Sequence, residues 1–254
     1  MAVGMTRLLA VLQLRNEEPY LPGCLAHLRE HVDGIVALDD GSTDSTPEIL
    51  ARDPAVNVIT KPVAVDHRWD ELGNKRALLE RARGLGADWV LACDADERLE
   101  RRFLVQLRTL TSQLDGLRIA IWCRELWDRP DTYRVDGVWG SGNKLRTRLF
   151  PVPPVISYDQ TTALHGGWEP DLARRLPRRT LDYNFYHLKM IRRADRIARR
   201  DFYTQLDPES KLQAIGYEYL ADETGLELRT IAVDREYDYA TLPPDLRRLL
   251  ERNH

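Results

Sequence analysis

Short apolar runs alternate, through the first half of the chain, with segments whose apolar positions recur every three to four residues. Residues 8–14, 35–38 and 89–93 are apolar with little polar alternation, which predicts strands buried on both faces, and 56–60 reads as a further strand. Between the first two, Pro19 opens a helix whose Leu21, Cys24, Leu25 and Leu28 form one face. Thr46 is the expected N-cap of the next helix, with Pro47 at its first position. Residues 70–83 read as a helix with Leu78, Leu79 and Ala82 inward and Lys75, Arg76, Arg81 and Arg83 on its polar faces, stopped by Gly84 and Gly86. Strands that alternate with helices predict successive β-α-β units, hence a parallel, doubly wound sheet. A further amphipathic helix (Phe103, Leu104, Leu107, Leu110, Leu114) and a strand at 117–123 follow.

Beyond Trp122 the pattern breaks. Trp127, Trp139, Gly140, Gly142, Pro151, Pro153, Pro154, Gly166, Gly167 and Trp168 mark a loop-rich stretch with a short strand at 145–150. Loops of such length in a compact domain are usually functional. Helical periodicity returns after Met190. Ile191, Ala194, Ala198 and Phe202 define an expected inward stripe, and Arg192, Arg193, Arg196, Arg199 and Arg200 cover the rest. Residues 217–224 and 244–251 are further helix candidates. The expected organisation is one unit over 1–190, with a nucleotide-binding half (1–123) and acceptor-side loops (124–190), and a helical extension over 191–254.

The 254 residues are 43% hydrophobic, enough for a sizeable core. A net charge of −3 gives no basic field for nucleic acid. Three scattered cysteines, two of them in apolar runs, read as buried thiols of a reduced compartment rather than a disulfide framework. No segment reaches 18 apolar residues and the N-terminus has no cleavage-site pattern, so a cytoplasmic chain is expected. The arginine-rich segment leaves open peripheral contact with the membrane's inner face, or a homo-oligomer through 191–254.

The chemistry concentrates where strands stop. The run at Trp89 ends in Asp94-Ala95-Asp96, and if extended geometry continues both carboxylates point the same way. Acids at the carboxyl edge of a parallel sheet stand where ligands of such folds gather. They suit a hard cation that keeps waters and shares phosphate oxygens. The second strand ends in Asp39-Asp40-Gly41-Ser42-Thr43-Asp44, whose carboxylates either stand at the same ligand edge or simply cap the following helix.

Taken in order, Arg15-Asn16-Glu17-Glu18, Asp39-Asp40-Gly41-Ser42-Thr43-Asp44 and Asp88-Trp89-Val90-Leu91-Ala92-Cys93-Asp94-Ala95-Asp96-Glu97 resemble the family 2 glycosyltransferases. Looser echoes follow in Arg146-Thr147-Arg148-Leu149-Phe150, Leu164-His165 and Tyr186-His187. The resemblance implies a GT-A fold: α/β, Rossmann-like, with a mostly parallel sheet flanked by helices and, here, a helical C-terminal extension. It implies an inverting transfer from a nucleotide-sugar donor, UDP- or another NDP-sugar, to an acceptor hydroxyl, assisted by Mn2+ or Mg2+. The acceptor's class (glycan, lipid-linked or small molecule) is left undefined.

On that resemblance Asp94, Asp96 and His187 would hold the metal, and Arg15, Glu17, Asp39, Asp40, Lys75, Asp94 and Lys189 the nucleotide. Gly73-Asn74-Lys75-Arg76 departs from the family's Arg-Asn spelling, which places Lys75 either at the donor or on a solvated helix face. His187 reads either as a ligand or as a packed core residue. Relatives carry His-Glu where this chain has His165-Gly166, so the base stays unassigned among Asp159, His165 and Glu169. Trp127, Trp139 and Trp168 either floor a sugar site or anchor long loops. A nucleotidyltransferase is disfavoured by the lack of a Gly-rich, Lys-bearing loop after the first strand. A non-catalytic binding relative stays open, because of the altered spellings.

Overall fold

The computed structural model describes residues 6–64, 70–159, 166–213 and 215–251. Strand β1 (Leu8–Leu14) pairs in parallel with β2 (Gly34–Asp39) on one side and β4 (Trp89–Ala92) on the other. Strand β3 (Val56–Thr60) adds in parallel to β2. Helices α1 (Leu21–Arg29), α2 (Thr46–Ala51) and α3 (Glu71–Gly84) make the crossovers. All three inner strands are buried on both faces, as unbroken apolar runs require. Alternation then sorts β1: Leu8, Ala10, Leu12 and Leu14 join the core shared with α1, whereas Leu9 and Val11 join that shared with α3. Asp70 caps α3, its carboxylate accepting from the Gly73 N–H at 2.9 Å.

The remainder comprises β5 (Glu97–Leu99), α4 (Arg101–Gln113), β6 (Arg118–Glu125), β7 (Thr132–Arg134), β8 (Lys144–Pro151), α5 (Asp171–Arg175), β9 (Arg178–His187), α6 (Arg193–Leu206), β10 (Leu228–Thr230) and α7 (Pro244–Glu251). The main sheet has eight strands in the order β3-β2-β1-β4-β8-β6-β9-β5. Its first four are parallel; β8 then runs antiparallel to both β4 and β6, and β9 runs parallel to β6. The sheet is therefore parallel in the half that sequence periodicity exposed and mixed in the other. Because two reversals separate β9 from β4, β9 ends at the same edge as β1, β2 and β4.

The sheet curls. Strand β5 lies four places from β4, about 19 Å across a flat sheet, yet a single short turn, residues 93–96, joins them. A compact turn cannot span that distance, so the far edge folds back toward the end of β4.

Three local expectations are corrected. Thr46 is the first residue of α2 rather than its cap, and its hydroxyl accepts instead from the Glu17 N–H at 2.8 Å. Residues 217–224 hold only a short 3-10 turn, Glu218–Leu220. In α6 the polarity is reversed: Ala194, Ala198 and Phe202 are exposed, while Arg196 is wholly buried. The Arg196 guanidinium stacks 3.9 Å over the Trp127 ring centroid and binds Asp128, Glu223 and the carbonyls of Met190 and Ile191. A buried cation with this many acceptors outweighs the small gain from burying two alanines and half a phenylalanine.

Candidate functional site

Four strand ends converge on one edge of the sheet. After β1, the Arg15 side chain donates from Nη1 to the carbonyls of Asp40 (2.7 Å) and Gly41 (3.2 Å). It thereby holds the loop that follows β2. Asp39 is buried and its Oδ1 accepts the Ser42 N–H at 3.1 Å, the turn-closing role that the sequence left as one of two alternatives. Asp40, also buried, stands 3.3 Å from Lys61 Nζ.

Beyond β4 the chain does not stay extended. Residues 94–97 close a turn in which the Glu97 N–H donates to the Asp94 carbonyl (3.0 Å) and the Asp94 N–H donates to Glu97 Oε2 (3.1 Å). The turn sends its two aspartates to different places, contrary to the expected common direction. Asp94 keeps 43% of its side chain exposed, 3.8 Å from Arg148, whereas the Asp96 side chain is only 6% exposed. The fully buried Arg98 secures the turn from behind, donating to the carbonyls of Ala95, Glu97, Tyr20 and Thr241.

His187, at the end of β9, reaches Asp96: Nε2 lies 2.8 Å from Oδ2 across 91 positions of sequence. Strand β5 pairs with β9 so that Glu97 stands opposite His187, which sets that approach. Lys189 extends the cluster by pairing with Glu17 and stands over the Tyr20 ring at 5.6 Å. Arg199 from α6 comes within 3.9 Å of Asp96. Sequence reading missed Arg199, because it counted that face of α6 as solvated.

These neighbours tune one another. Burial raises the Asp96 carboxyl, but His187, Lys189 and Arg199 outweigh it and hold the group well below the usual carboxylate range. Glu17 goes the other way: burial, reinforced by Asp96, pushes its carboxyl up to about 7 despite Lys189. Burial opposes the Lys189 charge, and Asp96 and Glu17 prevail, raising it.

As a metal centre, the pair Asp96 and His187 offers one oxygen and one nitrogen. Among the described residues no three His, Cys, Asp or Glu side chains gather into a metal site of their own. Two protein donors of this kind fit a cation that keeps waters and takes the rest of its shell from phosphate oxygens.

Other candidates lie elsewhere. Lys75 is buried, not solvated: it pairs with Glu71, donates to the Gly166 carbonyl at 2.6 Å and sits 5.2 Å from the Trp168 ring. Glu169 is bound to Arg118 at 2.7 Å, at the start of β6, the opposite end of that strand from Glu125, which pairs with His187. Burial notwithstanding, hydrogen bonds from Thr147 and Arg118 lower its carboxyl, which makes it a weak proton acceptor. Asp159 is exposed, and His165 lies outside the described residues. Trp127 and Trp168 are both buried and serve as anchors rather than as a sugar floor; the Trp139 side chain is not described.

Residues 10–113 match the model of glycosyl transferase family 2. An uncharacterised protein of Mycobacterium tuberculosis is 28% identical over 238 residues, 87% of this chain and 57% of the relative. The chain thus spans little more than half the length of the curated relatives it matches. A TPR repeat-containing protein of Synechococcus elongatus is 30% identical over 121 residues, 48% of this chain and 28% of its own. Among solved structures, S. aureus TarS (1–349) aligns with a TM-score of 0.47 and 13% identity, over 86% of this chain and 70% of that one. Glucosyl-3-phosphoglycerate synthase from Mycobacterium tuberculosis, in complex with Mn2+, UDP and glucosyl-3-phosphoglycerate, aligns with a TM-score of 0.34 and 24% identity, over 48% of this chain and 44% of that one. Residues 10–113, the part of the chain that matches the glycosyl transferase family 2 model, supply Arg15, Glu17, Asp39, Asp40, Asp94 and Asp96.

Proposed function

We propose that the chain is an inverting glycosyltransferase that moves a sugar from a nucleoside-diphosphate sugar to an acceptor hydroxyl with help from a divalent cation. The observation that carries this reading is the 2.8 Å approach of His187 to Asp96, which joins the acidic turn after β4 to the end of β9. It sets a carboxylate, an imidazole and the cations Lys189 and Arg199 around one point at the ligand-binding edge.

In this reading Asp96 and His187 would hold Mn2+ or Mg2+, with the half-exposed Asp94 free to serve the ribose or to support the cation through water. Asp39 and Asp40 shape the base and ribose pocket, with Arg15 fixing their loop. When bound, the cation stabilises the negative charge that develops on the departing diphosphate. Lys189 meets the same charge by leaving Glu17 for a phosphate oxygen. Glu17, whose carboxyl is pushed up to about 7, then accommodates the change by holding a proton. The base is Asp159 or His165 rather than Glu169, whose carboxylate is bound to Arg118.

The test is release of nucleoside diphosphate from a panel of UDP-, GDP- and ADP-sugars with and without manganese, in wild type and Asp96→Asn. Metal-dependent release in wild type, lost by about a hundredfold or more in the variant, is the expected result. Release that ignores metal, or that Asp96→Asn leaves intact, overturns the metal assignment. An inverted anomeric proton in the product's NMR spectrum checks the stereochemistry.

A further inference from the structure

Arg148 is buried beside the Asp94–Asp96 turn, and it lies outside the 10–113 region that matches the family. It sits in β8 at an irregularity. Where β6 steps from Ile119 to Ala120, its partners on β8 step from Leu149 to Thr147, so Arg148 is the extra residue of a β-bulge. An unbroken strand would send Arg148 and Leu149 to opposite faces. Here both turn to the face that holds Phe185, with the Arg148 guanidinium 4.3 Å from that ring's centroid. Bulges beside active sites commonly re-aim a side chain in this way.

The re-aimed guanidinium pairs with Glu97 and stands 3.8 Å from Asp94. Glu97 is the residue whose carboxylate takes the Asp94 N–H. Three links thus run in series from the bulge through Arg148 and Glu97 to the backbone of Asp94.

We infer that Arg148 and Glu97 are positioning residues, through which the β8 bulge sets the conformation of the Asp94–Asp96 turn for metal and diphosphate. This rests on the reading of that turn given under Proposed function. Glu97 and Arg148 are both buried and face each other, so removing either side chain leaves the other's polar group without its partner inside the protein.

Arg148→Met, Arg148→Lys, Glu97→Gln and the double variant Arg148→Met/Glu97→Gln provide the test. Amide hydrogen exchange at residues 93–97, affinity for UDP with manganese, and kcat and KM for the donor are measured on the folded fraction of each. Arg148→Met is expected to speed exchange at 93–97, weaken UDP–manganese binding and lower kcat by about a hundredfold, the scale of a displaced catalytic group. Arg148→Lys should recover part of each. The double variant buries no unpaired charge and stays folded where the single one fails; it should regain stability while kcat remains low. Folded variants with wild-type exchange at 93–97 and wild-type kcat overturn the inference. If wild type neither binds UDP with manganese nor releases it from a sugar donor, the glycosyltransferase reading falls, and exchange at 93–97 alone decides the positioning role.

Discussion

At the scale of single residues, the site is a set of charges held in mutual dependence. Glu17 is the clearest case, because its carboxyl is pushed up to about 7 from an ordinary value of 4.5. A raised acid means that the folded chain binds more protons than the unfolded chain between those two values. Stability therefore falls as pH rises through that window. In melting temperatures taken from pH 4.5 to 8, wild type should lose more stability with rising pH than Glu17→Gln, because the opposite slope from His27, whose imidazole burial lowers to about 3, is common to both. An identical slope in the variant would place the titrating group elsewhere. Asp96 has the opposite sign: its contribution is complete above the ordinary carboxylate range and is lost only in stronger acid. Near neutral pH the difference between wild type and Glu17→Gln thus reads Glu17 while Asp96 stays ionised.

At the scale of elements, two close fits make strong predictions. Gly23 in α1 packs so tightly that an added Cβ would overlap the Thr241 carbonyl oxygen and lie 2.6 Å from Arg98 Nη2. Gly23→Ala should therefore cost about 1–3 kcal/mol or more in a denaturant melt, since overpacked contacts against backbone relax poorly. It should also disturb Arg98, and with it the turn that carries Asp96. In α6 the inverted polarity predicts a contrast between neighbours. Arg196, wholly buried over Trp127, should cost about 2–3 kcal/mol when replaced by methionine, because charged hydrogen bonds to two carbonyls and two carboxylates go with it. Arg193, with 64% of its side chain exposed, should change stability by less than about 0.5 kcal/mol on the same substitution. Equal effects in a thermal melt would contradict the reversed face.

At the scale of the whole molecule, the candidate site draws on residues from Arg15 to Arg199, and its integrity depends on closure of the curled sheet. A ligand that bridges those parts stabilises all of them at once. A nucleoside diphosphate with manganese at 100 times its dissociation constant should add about 2.7 kcal/mol, seen as a raised melting temperature. Metal alone should give less, since Asp96 and His187 supply only two donors. A shift of the same size with metal alone would point to a fuller protein ligand set than the described residues hold. Among those residues, no helix is long and apolar enough to cross a membrane.

Local pattern was enough for the first half of the fold, because each β-α-β unit there is built from neighbours in sequence. Continuous burial of β1, β2 and β4 leaves a mark in composition, and the acids that end β2 and β4 interrupt it visibly. The partners of those acids left no such mark. That Asp96 meets His187 follows from two strand reversals and a curl, and none of these is written in periodicity. That Arg148 shares the face of Leu149, beside Phe185, follows from a one-residue bulge, which reverses the facing a strand pattern would assign. Arg196 and Arg199 read as solvated because arginine usually is; only tertiary packing supplied the acceptors and aromatic faces that bring their charges inside.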